Sequence, residues 1–179
     1  MRAPVFIAWR EQDRKYLLLV PALALVLGML VGTLYIVFTT VRVEGDSMYP
    51  ALQHEDRVLL TKRYDRPTRG DIVSLTLSDQ NERVDVLKRV IAVAGDEVTV
   101  EGDTAYVNGE LSAVAPGAIE GSRGRTFGPL IVPDGAVFVM GDNRPVSLDS
   151  RFVGPIPLSD VQGRVVAVIL PVHRFRVID

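Results

Sequence analysis

The stretch "LLLVPALALVLGMLVGTLYIVF", Leu17 to Phe38, runs 22 residues without a charge. At roughly 1.5 Å rise per residue it makes about 33 Å of helix, enough to cross a hydrocarbon layer of roughly 30 Å once. A cleaved targeting peptide would carry an apolar region of only about 7 to 15 residues and then a small-residue cleavage site. Here "TTVRVEG" follows, so the run reads as an uncleaved anchor. Arg2, Arg10, Arg14 and Lys15 precede it and only Arg42 lies close after it, which predicts a cytoplasmic N-terminus, 1–16, and an extracytoplasmic remainder, 39–179, at the plasma (cytoplasmic) membrane. Gly28 and Gly32 stand in small-xxx-small spacing, a pattern that brings two helices together and predicts a weak homodimer.

Beyond the anchor the pattern changes to short β-branched segments punctuated by Gly, Pro, Asn and Asp. Strands are expected at Arg57–Thr61, Asp71–Leu77, Val84–Val93, Glu97–Val100, Thr104–Val107, Ala136–Met140 and Arg164–Leu170. Asn108-Gly109 predicts a two-residue hairpin, because a type I′ turn needs positive φ at both positions. The glycines of Ala115 to Gly128 mark a mobile loop. Val165 to Val172 is too short to be a second span and reads as a buried strand. The fold class is therefore mostly β: one transmembrane helix, then one antiparallel all-β domain.

Composition narrows the chemistry. Apolar residues make up 47%, charged residues 23%, and the net charge is -2, so neither disorder nor a nucleic-acid binder is indicated. With no cysteine, disulfides, thiolate metal sites and a thiol nucleophile are excluded. A nucleophile must then be an oxygen or a nitrogen, and "VEGDSMYPAL" presents Ser47 soon after the anchor.

A serine hydroxyl needs a base within hydrogen-bond reach. His54 lies in the polar stretch "QHED", where it reads as a solvated loop residue, and His173 sits near the C-terminus between Val172 and Arg174, so neither is favoured as the base. The chain has three lysines against seventeen arginines. Lys15 is on the far side of the anchor, and Lys62 is flanked by charged and turn residues. Lys88, in "VDVLKRVIAVAGD", falls by period-two alternation on one strand face with Val84, Val86, Val90 and Ala92. An apolar face lowers an ammonium pKa from about 10.4 toward the ~7 to 8 of a useful base, although a lysine whose stem packs while its head reaches water fits the segment as well. In "VFVMGDNRPVSLDSRFVGPIP", Gly141-Asp142-Asn143 form a turn, and Ser147, Asp149 and Arg151 follow at alternate positions. A hydroxyl, a carboxylate and a guanidinium so placed can orient a lysine and hold one another.

Together these stretches resemble the bacterial type I signal peptidases, membrane-anchored Ser-Lys endopeptidases that remove signal peptides from exported preproteins. The resemblance rests on the anchor, "GDSMYPAL", "RGDIV" at Arg69 to Val73, "KRVIAVAGD" at Lys88 to Asp96, "VNG" at Val107 and "GDNRPVSLDSR" at Gly141 to Arg151, in that order. It implies that Ser47 is the nucleophile and Lys88 the base, and that Ser147 hydrogen-bonds and orients the lysine. Asp149 and Arg151 would keep that region in shape, with Asp142 and Asn143 in the turn that delivers it. The backbone N–H of Ser47 is the implied oxyanion donor, with Gly45 at the position of the second. It implies no cofactor or metal, and as partners the signal peptides of preproteins and the lipid bilayer. Small residues would be selected at the first and third positions before the cut, by pockets whose walls the sequence does not identify.

The chain departs from the family pattern at Ala51, where a hydroxyl residue is usual, and at Ala94, where proline is usual; neither change removes a reacting group. The distance from Lys88 to Gly141 leaves no room for a large inserted second β-domain. Two other readings compete at this point: a self-cleaving repressor-type Ser-Lys peptidase, which would need a DNA-binding segment where the anchor lies, and a non-enzymatic membrane-anchored β-domain that binds a partner.

Overall fold

The computed structural model describes residues 11–62, 64, 66–79, 82–115 and 126–178. Arg2, Arg10 and most of the expected glycine-rich loop lie outside the described residues. The chain divides into two compact units, Met1–Val37 and Phe38–Asp179.

The first unit contains one helix, α1 (Glu11–Val37). Its stretch Leu19–Val37 has a mean hydropathy of 2.3 and none of it is buried. Apolar side chains all round a helix, none packed on protein, fit a helix whose solvent is lipid. The helix ends one residue before the expected boundary. Phe38 is drawn instead into the first strand, where it pairs with Thr61.

The second unit contains twelve strands among the described residues: β1 (Phe38–Arg42), β2 (Arg57–Thr61), β3 (Ile72–Asp79), β4 (Glu82–Val93), β5 (Glu97–Glu101), β6 (Thr104–Val107), β7 (Glu110–Leu111), β8 (Phe127–Ile131), β9 (Ala136–Met140), β10 (Ile156–Pro157), β11 (Val161–Leu170) and β12 (Arg176–Val177). One short helix, α2 (Ser150–Val153), and three 3-10 turns complete it. The larger sheet runs β1-β2-β11-β3-β4-β9-β10, with β12 paired to β11; the smaller runs β7-β6-β5-β8. All the pairings are antiparallel. The mostly β architecture is the one expected, and each of the seven expected strands is present.

The hairpin at Asn108-Gly109 forms as expected. Val107 pairs with Glu110 across it, and φ is 55° at Asn108 and 81° at Gly109. The Asn108 side chain adds two bonds, accepting from the Glu97 N–H at 2.9 Å and donating to Asp96 at 3.1 Å. Five strands were not expected: β1, β7, β8, β10 and β12. β7, β10 and β12 are two residues long, too short for any period. β1 begins inside the apolar run that reads as anchor, and β8 opens at the end of the expected loop.

Both faces of the larger sheet are covered. On β9, Phe138 and Met140 pack toward the smaller sheet with Ile91, Val98 and Val100, while Val137 and Val139 pack on the opposite face with Val73, Leu75 and Val90. All five residues of β9 are buried, so it reads as a continuous apolar run rather than an alternating one. A third cluster, Val43, Met48, Leu52, Val58, Leu60, Ile72 and Leu87, sits under the loop that follows β1. A register shift between Val90 and Ala92 moves Ala92 into the cluster of Ile91, away from the face it was expected to share with Val90.

Phe138 is fully buried and its ring meets Phe127 at 5.1 Å between centroids, joining the two sheets. Phe138→Ala is expected to cost about 3 to 5 kcal/mol, read as a drop in the urea midpoint of the detergent-solubilised protein.

Candidate active site

Two strand pairings and one loop bring the expected residues together. Lys88 lies near the middle of β4, one residue before Arg89, which pairs with Met140 at the end of β9. The chain turns at Gly141 immediately after, so the sheet register itself sets the Gly141–Arg151 segment beside Lys88. Ser47 lies in the loop between β1 and β2. That loop is pinned from below by buried Met48 and Leu52, and by the Leu52 N–H donating to the Met48 carbonyl at 2.8 Å. The Asn143 N–H donates to the Ser47 carbonyl at 3.0 Å and ties the loop to the turn.

In this arrangement Lys88 Nζ donates to Ser47 Oγ at 3.0 Å and to the Leu87 carbonyl at 3.1 Å. Lys88 is 2% exposed. Burial lowers its pKa from the ordinary value to about 8, against the opposing pull of the Asp149 and Asp142 carboxylates. An amine held there is neutral in a useful fraction of molecules near neutral pH, so it can take a proton from the hydroxyl it touches.

Those two carboxylates are themselves answered by guanidinium groups. Arg89 grips Asp142 through two bonds of 2.8 and 2.6 Å and donates to the Gly70 carbonyl at 2.8 Å. Asp149 is fully buried: it receives Arg151 at 2.9 and 3.0 Å, accepts the Gly141 N–H at 3.1 Å, and caps α2 through the Arg151 N–H at 3.2 Å. Arg151 also donates to the Asp103 carboxylate at 2.7 Å and to the Arg144 carbonyl at 2.8 Å, and Arg144 bonds the Gly141 and Asp103 carbonyls. Burial and the neighbouring Arg151 charge lower the pKa of Arg144. Asp103 and Arg144 did not stand out in the sequence. Asp103 is a turn residue forty-eight positions from its partner Arg151, and nothing local marks it.

Ser147 is buried beside Gly141, and its hydroxyl has no hydrogen-bond partner among the described residues. The bond from Ser147 to the lysine that the resemblance implies is therefore not formed in this structure. Gly141 must be glycine, since a Cβ there would run into the Ser147 side chain and the Ser47 carbonyl. Gly45, at φ +79°, donates its N–H to His54 Nδ1 at 3.0 Å. The only donor that Gly45 has is thus committed away from the oxyanion position the resemblance implies. Lys62 and His173 are exposed.

A cleft of about 350 Å³ opens at Ser47. Val41, Val43, Met48, Val86 and Leu87 line it with apolar surface, and Ser74, Asp85 and Glu44 with polar surface. Among the described residues, β4 pairs with β9 only from Arg89 onward, so its edge from Arg83 to Leu87 carries no partner on the side away from β3. An extended peptide can add itself to such an edge.

The family model "Signal peptidase, peptidase S26" matches residues 15–170. Signal peptidase I S of Bacillus subtilis (strain 168) is 38% identical over 141 residues, covering 72% of this chain and 73% of that protein. Signal peptidase I of Bacillus licheniformis is 36% identical over 171 residues, 88% of this chain and 89% of that protein. A crystal structure of a signal peptidase I from Enterococcus faecalis is 31% identical, covers 57% of this chain and 98% of that one, and has a TM-score of 0.45.

Lys88 pays for its position in stability. Its folded pKa of about 8 lies below the unfolded value near 10.4, so the unfolded chain binds the proton more tightly. Stability contributed by this group is therefore lost as pH falls from about 10.4 to about 8, a cost of about 3 kcal/mol once both states are charged. Lys88→Met is expected to raise the unfolding temperature at about pH 6 to 7 and to lose that advantage toward pH ~10, measured by thermal unfolding across pH.

Proposed function

Because the chain belongs to the signal peptidase family, peptidase S26, and is a membrane-anchored serine peptidase that removes signal peptides from preproteins, we propose that Ser47 is its nucleophile and Lys88 its general base. The observation that carries this reading is the 3.0 Å bond between Lys88 Nζ and Ser47 Oγ at a lysine whose pKa burial has lowered to about 8. Membership in the family sets aside the non-enzymatic binding domain and the repressor-type peptidase.

In the reaction, neutral Lys88 takes the Ser47 proton as Oγ attacks the scissile carbonyl carbon. Negative charge develops on the carbonyl oxygen, where the Ser47 N–H is the donor. As the intermediate collapses, the C–N bond breaks and the Lys88 ammonium returns its proton to the leaving amine. Water, deprotonated by the same lysine, then attacks the acyl carbon; the C–Oγ bond breaks and the lysine ammonium returns the proton to Ser47 Oγ. Asp149, Arg151, Asp142 and Asn143 keep the lysine and the serine loop in register. Ser147 supplies a hydroxyl that can turn toward Nζ once the Ser47 proton has moved.

The substrate lies along the open edge of β4 as an extra strand, with small side chains in the apolar part of the cleft next to Ser47. The basic N-terminus, 1–16, faces the cytoplasm, and the β unit lies on the extracytoplasmic side of the plasma membrane. Gly28 and Gly32, each with open space where a Cβ would stand, admit a second helix at close range, and a weak homodimer forms there. Enzyme and substrate then share one lipid surface, which raises their effective concentration.

Cleavage of a signal-peptide-bearing preprotein in detergent checks the assignment. Ser47→Ala and Lys88→Ala are expected to abolish the cut while the fold is kept. Lys88→Arg fails as well, since a guanidinium does not give up its proton. Ser147→Ala is milder, and a loss equal to that of Ser47→Ala overturns its rank as an orienting group. The wild-type rate is expected to fall on the acid side from about pH 8, where Lys88 becomes charged.

A further inference from the structure

His54 bonds the Ser47 loop and has no part in the dyad. Its Nδ1 accepts the N–H of Gly45, three residues after β1 ends, at 3.0 Å. An imidazole nitrogen that accepts a bond carries no proton, so the proton of the neutral ring sits on Nε2. Nε2 faces Glu55 Oε1 at 3.1 Å, and the other Glu55 oxygen is held by Arg42 of β1. The chain Gly45 N–H, His54, Glu55, Arg42 thus fixes one tautomer and one orientation.

Glu55 sits at φ +75°, in the left-handed region that disfavours a side chain. It is kept there by its N–H donating to the Val43 carbonyl at 3.0 Å and by the Arg42 pair. Next to this turn His54 meets Gly45, two residues before Ser47. We propose that His54 is a positioning residue for the reaction: its unprotonated Nδ1 clamps the Gly45 amide and so holds the Ser47 loop, and protonating the ring opens the clamp.

The proposal rests on Ser47 as the nucleophile. A protonated ring has two N–H donors and no acceptor, so the Gly45 amide loses its partner. The charged groups around the ring are Glu55 on its own turn, Arg42 through Glu55, and Glu44 beside Gly45, whose charge acts on Arg42. The His54 side chain is 55% exposed, whereas Lys88 is 2% exposed.

The test measures kcat and KM on a signal-peptide-bearing preprotein with the full chain in detergent, from about pH 5 to about pH 10. Wild type is compared with His54→Ala, His54→Asn and Ser47→Ala. His54→Ala is expected to lose about two- to tenfold in kcat near the pH optimum, the worth of one hydrogen bond, with KM unchanged. His54→Asn, whose Oδ1 accepts where Nδ1 did, keeps the wild-type kcat. Its acid-side fall follows the single proton of Lys88, whereas wild type, losing two functions, falls more steeply. An unimpaired or faster His54→Ala, a His54→Asn as slow as His54→Ala, or superimposable acid limbs for wild type and His54→Asn would each overturn the clamp. Cleavage that survives Ser47→Ala sinks the nucleophile assignment and the clamp with it, whereas an inactive Ser47→Ala beside an unimpaired His54→Ala sinks the clamp alone.

Discussion

An amine is kept out of water yet in contact with a hydroxyl, and the strand register of the β unit places it there. Lys88 lies where β4 passes from one partner strand to the next: β3 flanks it on one side, and β9 begins to pair on the other only at Arg89. Upstream of that point the strand edge has no partner among the described residues, and downstream it is sealed into the core. The lysine stands at the boundary, dry enough for its pKa to fall to about 8 and close enough to the opening to meet Ser47.

Burying one lysine is made harder by two nearby carboxylates that favour its charged form. Asp142 and Asp149 pull against the lowering, and each is itself paired with a guanidinium, Arg89 and Arg151. Asp103 then answers Arg151 from the turn between β5 and β6, which fastens the smaller sheet to the Gly141–Arg151 segment. Buried ion pairs of this kind contribute little net stability compared with apolar packing of similar volume. They are directional, however, and a fork of planar N–H groups fixes where each carboxylate stands. The cluster fixes where the Gly141–Arg151 segment stands rather than how tightly the domain folds.

Much of this was legible in the sequence because it is local. Strands with β-branched alternation, the Asn108-Gly109 turn and the order of the boxes are short-range patterns. The "RGD" and "AGD" boxes turn out to grip each other, Arg69 holding both oxygens of Asp96, while Asp71 collects Tyr64, Thr68 and Arg164. What escaped was long-range or built from too few residues. Asp103 finds Arg151 only through the fold, the cleft walls come from three separate segments, and the Gly45 amide is claimed by a histidine nine residues on. The hydroxyl of Ser147 shows the opposite case, a residue the pattern singles out whose expected bond this structure does not form.

The helix ends at Val37 and β1 starts at Phe38, with no residue between them. Ser47 is ten residues from the helix end, and a chain that long spans at most about 35 Å when fully drawn out. The anchor therefore works as a ruler. With Ser47 as the proposed nucleophile, the tether sets an upper limit on how far from the helix end a bond can be attacked, a limit that comes from chain length and not from the fit of flanking residues to the cleft.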